Sequence, residues 1–302
     1  MKNIIIFYYN LTPTKIYQNH HKYWFYFQQN KYLFLEYHSS FFNEQDLFEL
    51  KQKLQMLGIP IHDIILNKDN HIITTVNQKK YIMLKQIVKD DEISINDIID
   101  FSAKTSNQSF LSSLYKNRHE WIHLWMSKID YLEYQVSQFG MKYPYLRESF
   151  DYFVGVAENA ISYCNEIYDH NYGVTHRRIE SKMTYEEFYN PMNLMIDYSV
   201  RDVVEYFKFK LFYNYLSFAE VEYYLKYHLK TEEYVTFYAR FLFPTPFFDT
   251  FEDIISGQKD EKEITPIIKK VHIYELFLKK IYFYISQYIK IPAIDWIIKK
   301  HR

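Results

Sequence analysis

Residues 176–207 decide how this sequence folds, and they read HRRIESKMTYEEFYNPMNLMIDYSVRDVVEYF. The stretch begins with a histidine and two arginines and continues through a polar run into a short apolar segment that ends at Asp197. Ser199 and Asp202 then have the S-x-x-D spacing of a helix N-terminal capping box. We therefore predict that a helix begins at this point and covers residues 201–215.

Three positions in this stretch bear on phosphoryl transfer. A working phosphotransferase places an acidic base after the loop histidine, a metal-binding Asn five residues beyond that base, and a metal-binding Asp after an intervening strand. With His176 as the loop histidine, the base position is Arg178 and the Asn position is Met183. A thioether is not one of the hard oxygen ligands that Mg²⁺ requires. Only Asp197 keeps the required residue type, so the stretch predicts a degenerate kinase-like site.

These motifs resemble the CotS/YutH family of spore-coat kinase-like proteins, and its YutH branch in particular. The family is related to the aminoglycoside and choline phosphotransferases. The resemblance rests on the His-Arg-Arg run where active relatives have HGD, on IDYSVRDVVEYF at residues 196–207, and on the closing IPAIDW at residues 291–296. It implies an α+β, protein kinase-like (aminoglycoside phosphotransferase-like) fold of two lobes. Residues 1–90 would form a small β-rich N-lobe, and residues 91–302 a large helical C-lobe.

The function implied by the resemblance is that of a non-catalytic, spore-coat-associated pseudokinase. Such a protein would be a binding or structural component of endospore coat assembly, with other spore coat proteins as its partners. It would be made in the cytoplasm of the mother cell of a sporulating bacterium and would then join the spore coat. No cofactor is expected. The alternative is a residual ATP-dependent small-molecule phosphotransferase, which would need ATP and Mg²⁺ in the cleft.

The resemblance also assigns roles to single residues. His176 would shape its loop, although a core histidine hydrogen-bonded to the backbone is an equally structural interpretation. Arg177 and Arg178 would either bind a phosphate or a partner's carboxylate through their forked donors, or pair with Asp197 or Asp202; we favour the pairing. Asp202 would accept bonds from the backbone of the catalytic loop.

Composition limits the classes of function. The chain has 302 residues, 48% of them hydrophobic, which is enough to bury a sizeable core in one large domain or two smaller ones. The 36 basic and 37 acidic side chains nearly cancel, so no general affinity for nucleic acid or anionic lipid is expected. Cys164 is the single cysteine, which excludes an intramolecular disulfide. We predict neither a signal peptide nor a membrane span.

The N-terminal third has the pattern of a small mixed lobe. Two aromatic, β-prone runs flank a turn at Gln29-Asn30, as in a hairpin, and a leucine-rich helical pattern follows, with Asn43 as its cap and Gly58 just beyond its end. The predicted order is two strands, one helix and three more strands: 22–28, 31–38, the helix 43–57, 61–66, 71–76 and 80–88.

Two residues of this lobe lie near the position of the phosphate-binding lysine of kinases. Glu36 lies near the expected position, where a carboxylate would repel phosphates, so it is more simply a solvated strand residue. Lys85 follows the helix, and we assign it to the strand that leads to the hinge. None of the five glycines lies in the first 57 residues, so the glycine-rich Walker and Rossmann loops are excluded.

The remainder of the chain is predicted to be helical. Apolar residues recur at spacings of three and four, which is typical of buried helix faces far more often than of cofactor sites. The predicted helical segments are 107–138, 147–168, 201–229, 232–243 and 262–289.

One motif competes with the kinase-like interpretation. His119, Glu120 and His123 match H-E-x-x-H, in which two histidines one helical turn apart bind Zn²⁺ and the glutamate acts on the metal-bound water. A third ligand would be needed, and Glu133 and Glu148 are the candidates. We rank a zinc hydrolase below both kinase-like alternatives because the motif falls within a predicted core helix.

Overall fold

A computed structural model describes residues 1–19, 22–38, 42–114, 121–139, 141–168, 170–180 and 182–299. The chain forms two compact units. The first contains residues 1–117, 173–178 and 182–197, and the second contains residues 118–172, 179–181 and 198–302. The first unit therefore includes the segment around His176 in addition to the N-terminal residues. The predicted lobe boundary at residue 90 stays a prediction.

The first unit is built on an antiparallel sheet. Its strands are ordered β1-β2-β3-β6-β4, and β5 also pairs with β6. In chain order the elements are α1 (Lys2–Tyr9), β1 (Ile16–Asn19), β2 (Lys22–Phe27), β3 (Asn30–Glu36), α2 (Glu44–Met56), β4 (Asp63–Ile65), β5 (Ile73–Val76), β6 (Lys79–Lys85), α3 (Ile95–Thr105) and α4 (Leu111–Leu114).

Local signals explain why the predicted elements form where they do. Gln28 and Gln29 connect β2 to β3 with φ angles of 47° and 65°, and two consecutive positive φ values are the signature of a type I′ hairpin turn. The predicted hairpin is confirmed, with its turn one residue earlier than expected. The side chain of Asn43 accepts the Asp46 N–H at 2.8 Å and caps α2, and Gly58 follows the helix with φ of 72°. The predicted helix and its cap are therefore confirmed.

The two faces of this sheet differ in chemistry. Side chains alternate along a strand, so Phe25 on β2 and Phe34 on β3 lie on one face, where they pack with Ile5 and Tyr9 of α1. Lys31 lies on the opposite face of β3. The sequence did not predict α1, which covers the aromatic face, nor β1, which extends the sheet at its edge.

The last part of the first unit comes from residues 173–178 and 182–197. It contains β7 (Tyr172–His176), α7 (Tyr185–Phe188) and β8 (Leu194–Tyr198), with a single 3₁₀ turn at Pro191–Asn193. Strands β7 and β8 pair with each other, and their outermost residues Tyr172 and Tyr198 belong to the second unit.

The described part of the second unit is helical. Its helices are α5 (Trp121–Phe139), α6 (Pro144–Cys164), α8 (Arg201–Tyr213), α9 (Phe218–Tyr227), α10 (Tyr234–Leu242), α11 (Thr245–Ile255), α12 (Thr265–Lys269), α13 (Val271–Ile285) and α14 (Asp295–Lys299). The predicted helical segment 201–229 contains two helices, and the first of them, α8, matches the predicted helix 201–215 to within two residues. Helix α11 was not predicted. None of the described helices is long and apolar enough to cross a membrane.

Charged side chains are buried inside the second unit. Lys208 on α8 is fully buried, and its ammonium group donates to the carbonyl oxygens of Arg240 and Phe243 at 2.9 and 2.7 Å and to Thr245 Oγ1 at 2.9 Å. The carboxylate of Glu205, also on α8, lies 2.9 Å from Lys208 Nζ and accepts from Arg240 Nε at 2.5 Å. These contacts fasten α8 to α10 and to the start of α11.

Candidate functional site

His176 is a buried residue at the end of β7. Its Nε2–H donates to the carbonyl oxygen of Phe188 at 2.8 Å, because a carbonyl can only accept. The imidazole ring stacks on the Phe188 ring at 4.3 Å and lies 5.0 Å from the ring of Phe101. These contacts fix the course of the chain from β7 to α7, which is a structural role.

Arg177 and Arg178 are both exposed. The backbone N–H of Arg177 donates to Asn193 O at 2.7 Å, and its guanidinium donates to His38 O at 2.8 Å. Arg177 therefore connects the loop after β7 to the chain just beyond β3. The proposed pairing of these arginines with Asp197 or Asp202 stays a prediction.

The two positions predicted to bind metal in an active relative have different side chains. Met183 is buried, and its backbone carbonyl accepts the Ile93 N–H at 3.0 Å. Asp197 is a buried carboxylate on β8. At these two positions the first unit has one hard oxygen ligand and one soft sulfur, whereas Mg²⁺ requires oxygen ligands. The side chains present therefore fit a magnesium–nucleotide complex poorly.

The first unit also contains a charged cluster that the sequence analysis did not identify. Glu186 on α7 is buried, and its carboxylate forms ion pairs with Lys22 on β2 and with Lys31 on β3, the latter at 2.5 Å. His62 Nε2–H donates to the backbone carbonyl of Glu186 at 3.1 Å, and Asp90 Oδ1 accepts its backbone N–H at 3.0 Å. We call Lys22, Lys31 and Glu186 the lysine–glutamate cluster.

Electrostatics in and beside this cluster follow from burial. Burial lowers the pKa of Lys22, and the nearby positive charge of Lys31 lowers it further. Burial also lowers the pKa of His62 to about 4, so its ring is neutral at pH 7. The carboxylate of Glu186 is therefore neutralised by lysines and not by a protonated histidine.

Glu36 and Lys85, the two residues near the predicted lysine position, are not part of the lysine–glutamate cluster. Glu36 ends β3 and accepts from Lys79 Nζ at 3.1 Å. Because side chains alternate along a strand, Glu36 lies on the face of β3 that carries Phe34, opposite to Lys31. Lys85 ends β6, opposite Tyr32 of β3. The lysine of β3 whose ammonium group pairs with a carboxylate is Lys31, and its partner is Glu186.

The zinc motif is only partly covered by the structure. His119 and Glu120 lie outside the described residues, and His123 is exposed on α5. The proposed third ligands, Glu133 and Glu148, are exposed on α5 and α6. Among the described residues, no group of three His, Cys, Asp or Glu side chains is placed to hold a metal ion.

The start of α8 belongs to the second unit. Ser199 Oγ donates to Glu233 Oε1 at 2.9 Å, and the Ser199 N–H donates to Asn171 O at 3.0 Å. Asn171 Nδ2 also donates to Glu233 Oε1, at 2.5 Å. Asp202 is buried in the first turn of α8, and Val200 precedes the helix with helical dihedral angles. The capping box between Ser199 and Asp202 stays a prediction.

A cavity of about 480 Å³ opens beside the lysine–glutamate cluster. Its walls are the β2–β3 turn, with Tyr26 and Lys31, and the segment that follows β6, from Gln86 to Asp90. The side-chain oxygen Oε1 of Gln86 is buried and has no hydrogen-bond partner among the described residues. This cavity lies entirely within the first unit.

The fold is that of the aminoglycoside phosphotransferases. The chain superposes on an aminoglycoside phosphotransferase from Alicyclobacillus acidocaldarius with a TM-score of 0.66 and 9% identity, over 92% of this chain and 94% of that one. It superposes on spectinomycin phosphotransferase in complex with ADP and spectinomycin with a TM-score of 0.60 and 9% identity, over 95% and 97% of the two chains. At this identity the likeness establishes the fold alone, and it confirms the predicted fold class.

The sequence itself identifies the family. The family model described as "Spore coat putative kinase YutH" matches residues 2–281, so this chain belongs to that family. It is 25% identical to the endospore coat-associated protein YutH of Bacillus subtilis (strain 168), over 90% of this chain and 91% of that protein. The resemblance deduced from residues 176–207 is thus confirmed.

Proposed function

We propose that this chain is a non-catalytic member of its family, a pseudokinase that takes part in endospore coat assembly through its binding surfaces. The observation that carries this proposal is the pair of side chains at Arg178 and Met183. The first replaces the general base with a cation, and the second places a buried thioether where a metal ligand is needed.

The magnitude of the expected defect supports a non-catalytic role. Loss of a general base alone costs about 10²–10⁴-fold in rate. Phosphoryl transfer depends almost entirely on the positioning of phosphates and metal, so loss of a metal ligand removes a second and larger part of the catalysis. Asp197 alone does not replace these groups.

The coat-associated part of the proposal draws on the similarity to the endospore coat-associated protein of Bacillus subtilis. On this basis the chain would be made in the mother cell, would become part of the spore coat, and would bind other coat proteins there. A fluorescent fusion expressed in sporulating cells of the producer should form a ring around the forespore. Diffuse fluorescence throughout sporulation would contradict a coat role.

A thermal-shift titration with ATP, with and without Mg²⁺, tests the non-catalytic part. A ligand that binds only the native state raises the melting temperature. We expect no shift of the wild-type protein at millimolar ATP in either condition. Asp197→Ala should behave in the same way, and so should the control Asp295→Ala, which alters an exposed carboxylate on α14.

The opposite outcome would favour the phosphotransferase alternative. It consists of a Mg²⁺-dependent shift that Asp197→Ala abolishes and Asp295→Ala preserves, together with phosphate transfer to a small hydroxylated acceptor. Such a result would show that Asp197 holds the metal and that the chain is an enzyme.

A further inference from the structure

We propose that Lys22 and Lys31 form an anion-binding site for a small phosphate-bearing ligand, and that Glu186 fills this site as a built-in substitute. The lysine–glutamate cluster can hold an anion whether or not the chain transfers phosphate. In the wild-type protein this capacity is latent, because Glu186 occupies the site, and it is separate from the pseudokinase role.

The two lysines are placed to bind different oxygen atoms of the same anion. Lys22 and Lys31 lie on neighbouring strands, opposite Leu35 and Tyr26 respectively, and so share one face of the sheet. Their ammonium groups meet different oxygens of one carboxylate, Lys22 at Oε1 and Lys31 at Oε2 of Glu186. Lysine binds phosphate as a point charge in the same way.

Glu186 is held in place by its backbone and not by its carboxylate alone. Asp90 accepts its N–H, His62 donates to its carbonyl oxygen, and the N–H of the preceding Tyr185 donates to Asp91 O at 2.8 Å. The backbone hydrogen bonds of Tyr185 and Glu186 therefore hold the carboxylate in contact with the two lysines. A buried carboxylate requires such partners, because removal of a charge from water is otherwise costly.

The surroundings offer room and access for a ligand. Lys31 lines the cavity of about 480 Å³, which is within the range typical of small-molecule sites. A second cation, Lys89, lies on the cavity wall and is exposed. The side chain of Lys22 is 38% exposed, so one face of the cluster is open to solvent. An anion can therefore reach both lysines once the side chain of Glu186 no longer binds them and moves aside.

Glu186→Gln is the variant that tests this site. It keeps the size of the side chain and removes its charge. Titration calorimetry with inorganic pyrophosphate, in low-salt buffer without metal ions, should show no measurable binding to the wild-type protein. Glu186→Gln should bind pyrophosphate measurably, at least about tenfold more tightly than the weakest affinity that the assay detects, because a charge in contact with both lysines is lost. This binding should weaken at high salt, and Lys31→Met in the same background should abolish it.

The matched control is Glu187→Gln, which changes the adjacent, exposed glutamate of α7. The charge of Glu187 also acts on Lys22, but Glu187 is exposed and its charge is screened, so Glu187→Gln should strengthen pyrophosphate binding much less than Glu186→Gln does. Pyrophosphate binding that is equal in the wild type, Glu187→Gln and Glu186→Gln would overturn the proposal, and so would a folded Glu186→Gln that binds none. Circular dichroism and a cooperative melting transition establish that each variant is folded.

A second variant covers the case in which Glu186→Gln does not fold. Glu186→Asp keeps the charge but shortens the side chain, so it should bind pyrophosphate more tightly than the wild type; equal affinity of the two would overturn the proposal. Orthophosphate in place of pyrophosphate distinguishes a site for a single phosphate group from one for a diphosphate. None of these titrations contains ATP or Mg²⁺, so their outcome is separate from that of the pseudokinase test.

Discussion

Lys208 of α8 offers the sharpest test of how the helical unit is held together. Lys208→Met keeps a long, flexible side chain of similar volume and removes the ammonium group. The two carbonyl oxygens that accept from Lys208, those of Arg240 and Phe243, then lose this donor in a buried environment. Glu205 keeps its contact with Arg240 and so remains paired with one cation.

The magnitude of the loss follows from these contacts. Each buried acceptor left without its donor costs about 1–3 kcal/mol. Removal of one partner of a buried ion pair costs about 3–5 kcal/mol in total. Because Arg240 still neutralises Glu205, we expect a loss of about 3–4 kcal/mol, at the low end of that range. This is a large part of the roughly 5–15 kcal/mol that stabilises a typical domain.

Lys210, two residues further along the same helix, provides the matched control. It pairs with Glu220 at 2.5 Å, but both side chains are partly exposed, so Lys210→Met should cost at most about 1 kcal/mol. Urea denaturation followed by tryptophan fluorescence is a suitable assay, because Trp121 and Trp125 lie 5.0 and 5.6 Å from the guanidinium of Arg240. If Lys208→Met lowers the midpoint no more than Lys210→Met does, the buried network does not stabilise the packing of α8 against α10.

Two further predictions concern the first unit. Asn43→Ala removes the oxygen that caps α2 and should lower the free energy of unfolding, measured by urea denaturation, by about 1 kcal/mol. Asn43→Asp keeps a capping oxygen, so an equal loss of stability in both variants would contradict the cap. Burial lowers the pKa of His62 to about 4, so between this value and the unfolded pKa of about 6.5 the unfolded chain binds more protons than the folded one. Stability should therefore fall as the pH is lowered from about 6.5 to about 4. Melting temperatures over this range should change less in His62→Gln, and an equal slope in both proteins would rule out His62 as the titrating group.

The elements that the sequence predicts well are those with local causes. The β2–β3 hairpin follows from two aromatic runs with a short polar turn between them, and α2 follows from Asn43, a leucine stripe and Gly58. The fold class follows from motifs within a single stretch, residues 176–207. Each of these signals lies within a few tens of residues and needs no knowledge of the tertiary structure.

The elements that the sequence missed depend on tertiary contacts or on ambiguous local patterns. Six of the eight residues of α1 are apolar or aromatic, and the two polar ones, Lys2 and Asn3, both lie at its start, so no polar face runs along the helix. The helix is explained by its packing on the aromatic side of the sheet. Helix α11 contains Pro246 and several aromatic residues, yet this proline lies in the first turn, where it is compatible with a helix.

The lysine–glutamate cluster could not be predicted from local patterns. Lys31 and Glu186 are 155 residues apart, and neither belongs to a recognisable motif. The order of the strands alone points to Glu36 and Lys85, because both lie close to the position of the kinase lysine. Lys31 and Glu36 lie on opposite faces of the sheet because side chains alternate along β3. Which face each residue occupies depends on the strand register, and only the sheet itself defines that register.

Each unit contains a carboxylate paired with two cations, but the cations are buried to different extents. This difference determines whether an external anion can replace the carboxylate. In each, one carboxylate lies between two cations: Glu205 between Lys208 and Arg240, and Glu186 between Lys22 and Lys31. Lys208 is fully buried and also donates to backbone carbonyls, so no ligand can replace Glu205 without unfolding the helical unit. Lys22 and Lys31 are partly exposed, and Lys31 borders a cavity. An exchange of the carboxylate for an external anion is therefore compatible with the folded state only in the first unit, which is where the kinase-like motifs also lie.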